Sequence, residues 1–328
     1  MEDITELKVS DFGERFLIKI IINKTKKSQN TPFILGDDAS AIPIHKNQDL
    51  IASSDMLIQS KHFPKEMSYF QMGFKSVTVN LSDIAAMGAK PLGFLLNIAI
   101  PKNLSIKNFN DLIDGVLDAC NFYDIYLIGG DTNEANEIIL SATALGLTDK
   151  NKLLTKHGFE VGDLVCTTGQ IGLASLGFYL LNNISDYNES ILKPIAKVRE
   201  GLILNDNSAS AATDITDGLG FELYELLNSD KQFSNISKGI LIYEDKLNIS
   251  DDYKKIAQSL NKNYLDLILY FGEDFELLFT ISKSNALKLE KLMDFNIIGI
   301  VTNNSKVEIK RINGEIQEIS EKGYEHLI

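Results

Sequence analysis

The feature that most constrains the fold is the order of apolar segments in the first half of the chain. "PLGFLLNIAIP" at 91–101 and "IILSATALGL" at 138–147 are short apolar runs of the kind that form strands. Between them, residues 106–123 repeat apolar side chains at helical spacing. We also expect strands within 33–42 and 48–58, a helix over 69–78 and an amphipathic helix over 6–23. This alternation of strands and helices predicts an α/β or α+β domain.

A second domain is expected after the polar segment at 148–160, because 328 residues are enough for about two domains. We place an N-terminal α/β domain at 1–148 and a C-terminal α/β domain at 149–328. For the second domain the pattern predicts strands at "LVCTTG", "FELLFTIS" and "FNIIGIV", helices near 172–182 and 195–211, and a hairpin turn at Asn313-Gly314.

Composition excludes some classes of partner. The net charge is −13, and a protein that binds nucleic acid needs a basic face to displace counterions from phosphates. No apolar run reaches the roughly 18 residues of a membrane span, and the N-terminus lacks the pattern of a signal peptide. Cys120 and Cys166 both fall in segments expected to be buried, which fits a reducing compartment. We therefore expect a cytoplasmic protein that binds neither nucleic acid nor membranes.

Carboxylates recur beside Gly, Ser or Thr, at points where we expect a strand to end or a helix to begin. The stretches are "GDD" (Asp37, Asp38), "SSD" (Asp55), "LSD" (Asp83), "GGD" (Asp131), "TDITD" (Asp214, Asp217) and "GED" (Glu273, Asp274). Helix capping or turn formation explains any one of them. Carboxylates that converge, however, need cations to offset their repulsion. Oxygen ligands without a Cys/His set favour Mg²⁺ over zinc.

The stretch "TVNLSDIAAMGAKP" at 78–91 is the sharpest case. We predict that a strand ends there, that a helix begins at Ser82 and Asp83, and that Gly88 and Pro91 stop it. On that interpretation Asp83 caps the helix, holds a metal ion, or does both, since a carboxylate has several lone pairs.

The common phosphate-binding and nucleophile motifs are missing from the sequence. It contains no G-x-x-x-x-G-K-[ST], no complete G-x-G-x-x-G and no G-x-S-x-G. If the protein transfers phosphoryl groups, it therefore uses metals held by carboxylates. Spacing alone indicates a metal-dependent enzyme that handles phosphates.

Taken together, the motifs resemble those of the thiamine-monophosphate kinases, which share a superfamily with aminoimidazole ribonucleotide synthetase and selenophosphate synthetase. The resemblance runs through "GDDAS", "SSDMLI", "HF", "FKSVTVNLSDIAAMGAKP", "FYDIYLIGGDT", "TDITDGLG", "GEDFELLFT" and "KGY". It implies an N-terminal domain that binds ATP and metal and whose strands pair across a homodimer into a barrel, followed by a C-terminal α/β domain. It also implies that ATP phosphorylates thiamine monophosphate to thiamine diphosphate with the help of several Mg²⁺ ions.

The resemblance also implies roles for individual residues. The metal ligands would be Asp38, Ser53, Ser54, Asp55, Asp83, Asp131, Asp214 and Asp217. ATP would meet Tyr123, Gly130, Asp131, Lys156 and Thr216, and the second substrate would meet His62, Glu273 and Glu321. No residue is assigned a catalytic role beyond metal-assisted transfer.

Several of these assignments have a plain structural alternative. Tyr123 could pack at a helix end, Thr216 and Asp37 could serve turns, and His62 could be an ordinary loop residue. Lys75 could meet phosphate or be a solvated lysine on a helix face.

Two positions depart from the family pattern. Lys156 stands where the family usually has Arg, so the charge is kept but the bidentate fork is lost. Glu321 stands where an aromatic side chain is usual, and Tyr324 is a possible substitute. The alternatives for the whole protein are an enzyme like aminoimidazole ribonucleotide synthetase, or a metal-binding protein without activity. Selenophosphate synthetase is disfavoured because neither cysteine lies near the N-terminus.

Overall fold

The computed structural model describes residues 8–11, 13–28, 36–150, 152–183 and 185–326. Two sheets account for all the strands of this part of the chain. The first is built from residues before 150 and the second from residues after 163. None of the helices formed by the described residues combines the length and apolarity that a membrane span requires.

The first sheet has five strands in the order β1-β2-β5-β3-β4. They are β1 (Ser40–His45), β2 (Gln48–Ile58), β3 (Lys90–Ile100), β4 (Tyr126–Glu134) and β5 (Ile139–Asp149). Neighbours pair antiparallel except β3 and β4, which are parallel and joined by a helix. The predicted segments at 48–58, 91–101 and 138–147 therefore do form strands of one sheet. In the predicted strand at 33–42, residues 36–39 are bends and the strand β1 begins only at Ser40. The first residues of the predicted strand at 33–42 lie outside the described residues.

Two long helices, α3 (Tyr69–Ala86) and α4 (Ile106–Phe122), pack against each other next to this sheet. Their backbones come close where glycines face them: a Cβ on Gly73 would lie 2.0 Å from the Leu112 carbonyl oxygen, and one on Gly115 would lie 1.9 Å from that of Phe70. A side chain at either position would force the helices apart, so the packing depends on both glycines.

Helix α3 corrects the prediction for 78–91. The helix begins at a Ser68 capping box and runs without a break to Ala86, so no strand ends at 78 and no helix begins at Ser82. Its polar residues tolerate burial because they bond to the preceding turn. The Ser76 hydroxyl donates to the Gly73 carbonyl at 2.7 Å, and the Asn80 amide donates to the Ser76 carbonyl at 3.1 Å. Asp83 consequently lies in the last turn of α3 and caps no helix.

The second sheet has seven strands in the order β12-β11-β8-β10-β6-β9-β7. They are β6 (Leu164–Thr167), β7 (Ala211–Asp214), β8 (Gly239–Tyr243), β9 (Leu277–Ile281), β10 (Asn296–Thr302), β11 (Val307–Lys310) and β12 (Ile316–Glu318). The predicted hairpin is present: β11 and β12 pair antiparallel, and the Gly314 N–H donates to the Arg311 carbonyl at 2.9 Å.

The remaining helices are shorter. They are α1 (Glu14–Ser28), α2 (Gln59–His62), α5 (Leu173–Tyr179), α6 (Asn188–Leu192), α7 (Val198–Asp206), α8 (Leu219–Asp230), α9 (Asp251–Ser259), α10 (Tyr264–Tyr270) and α11 (Lys283–Leu289). Helix α1 begins later than the predicted helix at 6–23 and continues beyond it to Ser28. The predicted strand-to-loop change at "GGDT" is also wrong, because β4 continues to Glu134.

Helix α3 connects the two halves of the molecule. Ala85 and Ala86 at its C-terminal end belong to the same apolar cluster as Leu277 and Phe279 of β9. Helix α7 crosses this end closely, since a Cβ on Gly201 would lie 2.2 Å from the Ala85 carbonyl oxygen. The end of α3 that carries Asp83 is thereby held against the second sheet. The expected domain boundary at 148/149 falls just before Asp149, the last residue of β5, and the domain division itself stays a prediction.

Candidate active site

Three aspartates from distant parts of the sequence meet at one point. Asp38 precedes β1, Asp83 lies in the last turn of α3, and Asp214 ends β7. One carboxylate oxygen from each lies within 4.8 Å of the others, a spacing at which one cation could bind all three. They lie in a pocket of about 480 Å³ that Asp37, Ser53, Ser54, Asp55, Lys156, Thr216, Asp217 and Glu222 also line.

Three carboxyl groups of this pocket, those of Asp83, Asp214 and Glu222, have a raised pKa and therefore resist ionisation. Burial raises the pKa of Asp83 well above its ordinary value, and the charges of Asp55 and Asp214 raise it further. Burial likewise raises the pKa of Asp214 to about 7, with a contribution from the charge of Asp38. The pKa of Glu222 is raised well above its usual range, again chiefly by burial. The pocket is therefore short of positive charge.

Lys156 supplies part of that charge. Its ammonium lies 2.7 Å from Asp38 Oδ1 and 3.9 Å from Glu225 Oε2. Burial by itself lowers the pKa of Lys156, but the charges of Asp38, Glu222 and Glu225 raise it well above the ordinary value. The lysine is therefore charged and belongs to the same electrostatic network as the aspartates.

Strand β2 adds oxygen atoms to the pocket. Ser53 donates its hydroxyl hydrogen to Asp83 Oδ2, whereas the Ser54 hydroxyl donates to the Ala142 carbonyl at 2.8 Å. Burial raises the pKa of Asp55, and a hydrogen bond with Asp83 opposes that rise. Asp55 lies in the middle of the strand and not at a turn, contrary to our expectation.

The Asp37 side chain binds backbone N–H groups of the pocket. Its carboxylate accepts the Asp38 N–H at 3.0 Å and the Lys156 N–H at 3.3 Å. Burial raises its pKa to about 7. This geometry favours the turn role that the sequence left open for Asp37.

The pocket has the donor set that Mg²⁺ prefers. Asp38 Oδ2 and Asp214 Oδ2 are buried and have no hydrogen-bond partner among the described residues. Buried polar atoms are normally paired, so these two carboxylate oxygens are available to bind a ligand. All the donors are hard oxygens, which suits Mg²⁺ and not zinc. The pocket thus fits the metal that the resemblance implies.

The pocket opens into a groove of about 2140 Å³ that also receives Ser54, Asp55 and Asp83. The three residues expected to bind the second substrate line this groove, namely His62, Glu273 and Glu321. Tyr324, the suggested substitute for the usual aromatic residue, lines it too. Thr216 and Asp217 line both cavities. The structure therefore brings the expected substrate residues next to the expected metal residues.

One wall of the groove is an ion pair between Lys75 and Glu273. The Lys75 side chain is only 1% exposed, and its ammonium also donates to the His62 carbonyl at 3.1 Å. The solvated lysine that we considered for position 75 is therefore wrong. Glu273 has a left-handed backbone with φ of 62°, and the next residue, Asp274, turns away to accept the Gly172 N–H at 2.7 Å. Only the first acid of "GED" faces the groove.

The C-terminal segment and α1 close another side of the groove. Arg15 of α1 lies 3.6 Å from Asp217 Oδ2, stacks over the Phe221 ring at 3.7 Å, and donates to the Tyr324 carbonyl at 2.8 Å. His326 adds a contact of 3.1 Å between its Nε2 and that of His62. Burial raises the pKa of Asp217 to about 6, although the charge of Arg15 opposes the rise.

Three expected ATP contacts lie elsewhere. Tyr123 ends α4, and its hydroxyl accepts the Ala196 N–H at 2.8 Å, which is the packing role left open for it. Gly130 and Asp131 lie on the exposed edge strand β4, where Asp131 pairs with Asn97. None of the three lines the pocket or the groove.

Sequence reasoning missed Glu222, Arg15 and His326. Glu222 and Arg15 lie in helices whose periodicity gives no sign that these charged side chains turn inward. His326 carries no motif. A signal existed only for Glu222, which follows "TDITD" by five residues and accepts the Asp217 N–H at 3.3 Å.

Comparison with known proteins agrees with this geometry. Residues 36–148 match the family model "AIR synthase related protein, N-terminal domain". A solved structure described as AaThiL complexed with AMPPCP and TMP superposes with a TM-score of 0.85 at 26% identity, covering 98% of this chain and 99% of the other. The fold and this match thus define a protein whose N-terminal half contains a domain of the AIR synthase related class.

The sequence relatives narrow this class. The thiamine-monophosphate kinase of Pyrococcus abyssi is 38% identical over 89% of this chain and 90% of its own length. The thiamine-monophosphate kinase of Methanocaldococcus jannaschii is 37% identical over 82% of this chain and 86% of its own length. The chain belongs to the thiamine-monophosphate kinase family.

Proposed function

We propose that the protein transfers the terminal phosphoryl group of ATP to thiamine monophosphate and releases thiamine diphosphate and ADP. The observation that carries the proposal is the meeting of Asp38, Asp83 and Asp214, with two unpaired oxygens, at the mouth of a substrate-sized groove. The family relationship supplies the substrates, since its members are named for this reaction.

The chemistry demands little of the side chains beyond charge and position. A phosphate monoester has a second pKa of about 6, so the attacking oxygen of thiamine monophosphate is already largely anionic at pH 7. No general base is required, and the task is to bring two polyanions together in line. Bound Mg²⁺ would screen their charges and stabilise the charge of the transition state.

The chain's own residues would divide this work. Asp38, Asp83 and Asp214 would hold the metal ions, with Asp55 and the hydroxyls of Ser53 and Ser54 beside them, and Asp217 at the boundary with the groove. Lys156 and Thr216 would meet the phosphates of ATP. Glu273, held by Lys75, and His62 would orient the second substrate together with Glu321 or Tyr324.

We also propose a homodimer formed through the first sheet. Helices α3 and α4 cover one face of this sheet, and large apolar side chains remain exposed outside that core: Met56 is 56% exposed, Tyr126 75% and Ile128 52%. Exposed apolar clusters of this kind mark interaction surfaces. Gly130 and Asp131 lie on β4 of the same sheet, so a dimer is the assembly through which they would meet ATP. The two free, buried cysteines suit a cytoplasmic location.

The reaction is tested with purified protein, ATP, Mg²⁺ and thiamine monophosphate, with thiamine diphosphate measured by chromatography. Formation of thiamine diphosphate that stops when EDTA is added is the expected result. Consumption of ATP only with an aminoimidazole precursor would favour the related synthetase instead. Metal binding without any turnover would favour a non-catalytic protein.

A further inference from the structure

Lys156 occupies an unusual position beside the carboxylate cluster. Its side chain is 10% exposed, that of Asp38 is 5% exposed, and the two form an ion pair of 2.7 Å. Among the described residues that line the pocket, Lys156 is the one basic side chain. A cation of the protein itself therefore neutralises one of the three aspartates that converge on the metal position.

This neutralisation is incomplete. The ammonium and the Thr213 hydroxyl, at 3.0 Å, both bind Asp38 Oδ1, which leaves Asp38 Oδ2 without a partner. Asp214 Oδ2 is unpaired as well. The single charge of Lys156 thus reduces the repulsion among the three aspartates but leaves two of their oxygens without a partner. A divalent cation bound between the aspartates would carry twice that charge.

The lysine can leave Asp38 without a rearrangement of its loop. The backbone is fixed on both sides, because the Lys156 N–H donates to Asp37 Oδ2 at 3.3 Å and the Gly158 N–H donates to Asp230 Oδ1 at 3.0 Å. The four-carbon stem of a lysine is flexible, so a change in its side-chain torsion angles can move the ammonium while the backbone stays in place. A second acceptor, Glu225 Oε2, lies 3.9 Å from the ammonium and lines the groove.

We propose that Lys156 is an internal counter-ion that a divalent cation displaces from Asp38. Metal binding then releases the ammonium from Asp38 toward Glu225 and the groove. The part that concerns nucleotide rests on the proposed function: there the freed ammonium meets a phosphate of ATP, so metal and nucleotide assist each other's binding.

The two possible roles of Lys156 predict different metal affinities. A lysine that only contacts ATP has no influence on metal affinity when nucleotide is absent. A lysine that competes with the metal for Asp38 weakens metal binding, and its removal strengthens it. Since the charges are close and buried, we expect the dissociation constant for metal to fall at least about tenfold.

The test is calorimetric titration of Mn²⁺ into EDTA-stripped protein without nucleotide. The variant is Lys156→Met, and the matched control is Lys238→Met, which removes another buried lysine, paired with Asp230 at 3.0 Å outside the pocket. We expect both variants to have a lower Tm without metal and only Lys156→Met to bind Mn²⁺ more tightly. If Lys156→Met does not fold, Lys156→Gln, which keeps an N–H donor, gives the same comparison.

Unchanged or weaker Mn²⁺ binding by the Lys156 variant, with the control at the wild-type value, would overturn the proposal. Mn²⁺ binding that becomes equally tighter in both variants would also overturn the proposal, because the loss of any buried lysine would then have the same effect. The measurement needs no thiamine monophosphate. Tighter metal binding therefore supports the counter-ion even if the kinase reaction is not found, and active kinase with unchanged metal binding refutes the counter-ion alone.

Discussion

Replacement of Asp214 by Asn should stabilise the metal-free protein. Asp214 is fully buried at the end of β7, and burial with the charge of Asp38 raises its pKa from 3.8 to about 7. Below pH 3.8 the carboxyl is protonated in both the folded and the unfolded state. Between pH 3.8 and 7 only the unfolded state ionises, so the free energy of unfolding falls as pH rises. Above pH 7 the loss is constant.

The magnitude follows from the same numbers. One pH unit corresponds to about 1.4 kcal/mol, so the ionisable group lowers the free energy of unfolding by at most about 4 kcal/mol at pH 8. An amide of the same shape avoids this loss. In a chain of this size about 2 °C of Tm corresponds to 1 kcal/mol, so Asp214→Asn should gain up to about 8 °C in EDTA at pH 8. At pH 5.5 the gain should be about half as large.

The assay is thermal unfolding in EDTA and in Mg²⁺ at both pH values. In Mg²⁺ the order should reverse, because the wild type gains stability from bound metal and the variant lacks a ligand. Asp49→Asn is the matched control: Asp49 is a buried aspartate of β2, also with an unpaired oxygen, but outside the pocket. A variant less stable than wild type in EDTA by the same amount at both pH values would refute the reasoning.

Three further predictions follow from the site and the fold. Asp83→Asn should lower kcat at least about 100-fold while the circular dichroism spectrum is unchanged, since Asp83 lies in the last turn of α3 and caps no helix; an active variant would contradict its role as a metal ligand. Gly115→Ala should lower the free energy of unfolding in urea by about 3 kcal/mol, because its Cβ would lie 1.9 Å from the Phe70 carbonyl oxygen; a change below about 1 kcal/mol would mean that α3 and α4 separate easily. Tyr324→Ala should raise the KM for thiamine monophosphate more than Glu321→Ala does and leave the KM for ATP near the wild-type value, and the reverse order would assign the contact to Glu321.

Much of the fold could be predicted because short-range patterns carry it. The strands of the first sheet, α4 and the β11–β12 hairpin are encoded by apolar periodicity and by turn residues that act over a few positions. The wrong prediction of a strand end and a new helix within α3 also comes from relying on short-range patterns. Its Thr, Asn, Ser and Asp residues have poor helix propensity, and only burial between two sheets, with side chains bonded to the preceding turn, makes them helical.

The site was partly predictable for a different reason. Asp38, Asp83 and Asp214 stand out because each belongs to a motif with Gly, Ser or Thr beside it. The residues that pair with these aspartates and affect their charge belong to no such motif. The resemblance predicts that Lys156 meets ATP, but only the structure shows that its ammonium lies 2.7 Å from Asp38 Oδ1.

The sequence by itself determined the class of fold, the acidic character of the site and the family. These depend on residue types and on spacing along the chain, which can be read directly. The tertiary structure decided which acids share a cation, which one turns away, and where the counter-charge lies. The three central aspartates are separated by long stretches of chain, and they meet because α3 holds its last turn against both sheets. Such a contact depends on packing between residues far apart in the chain, so the local sequence pattern does not predict it.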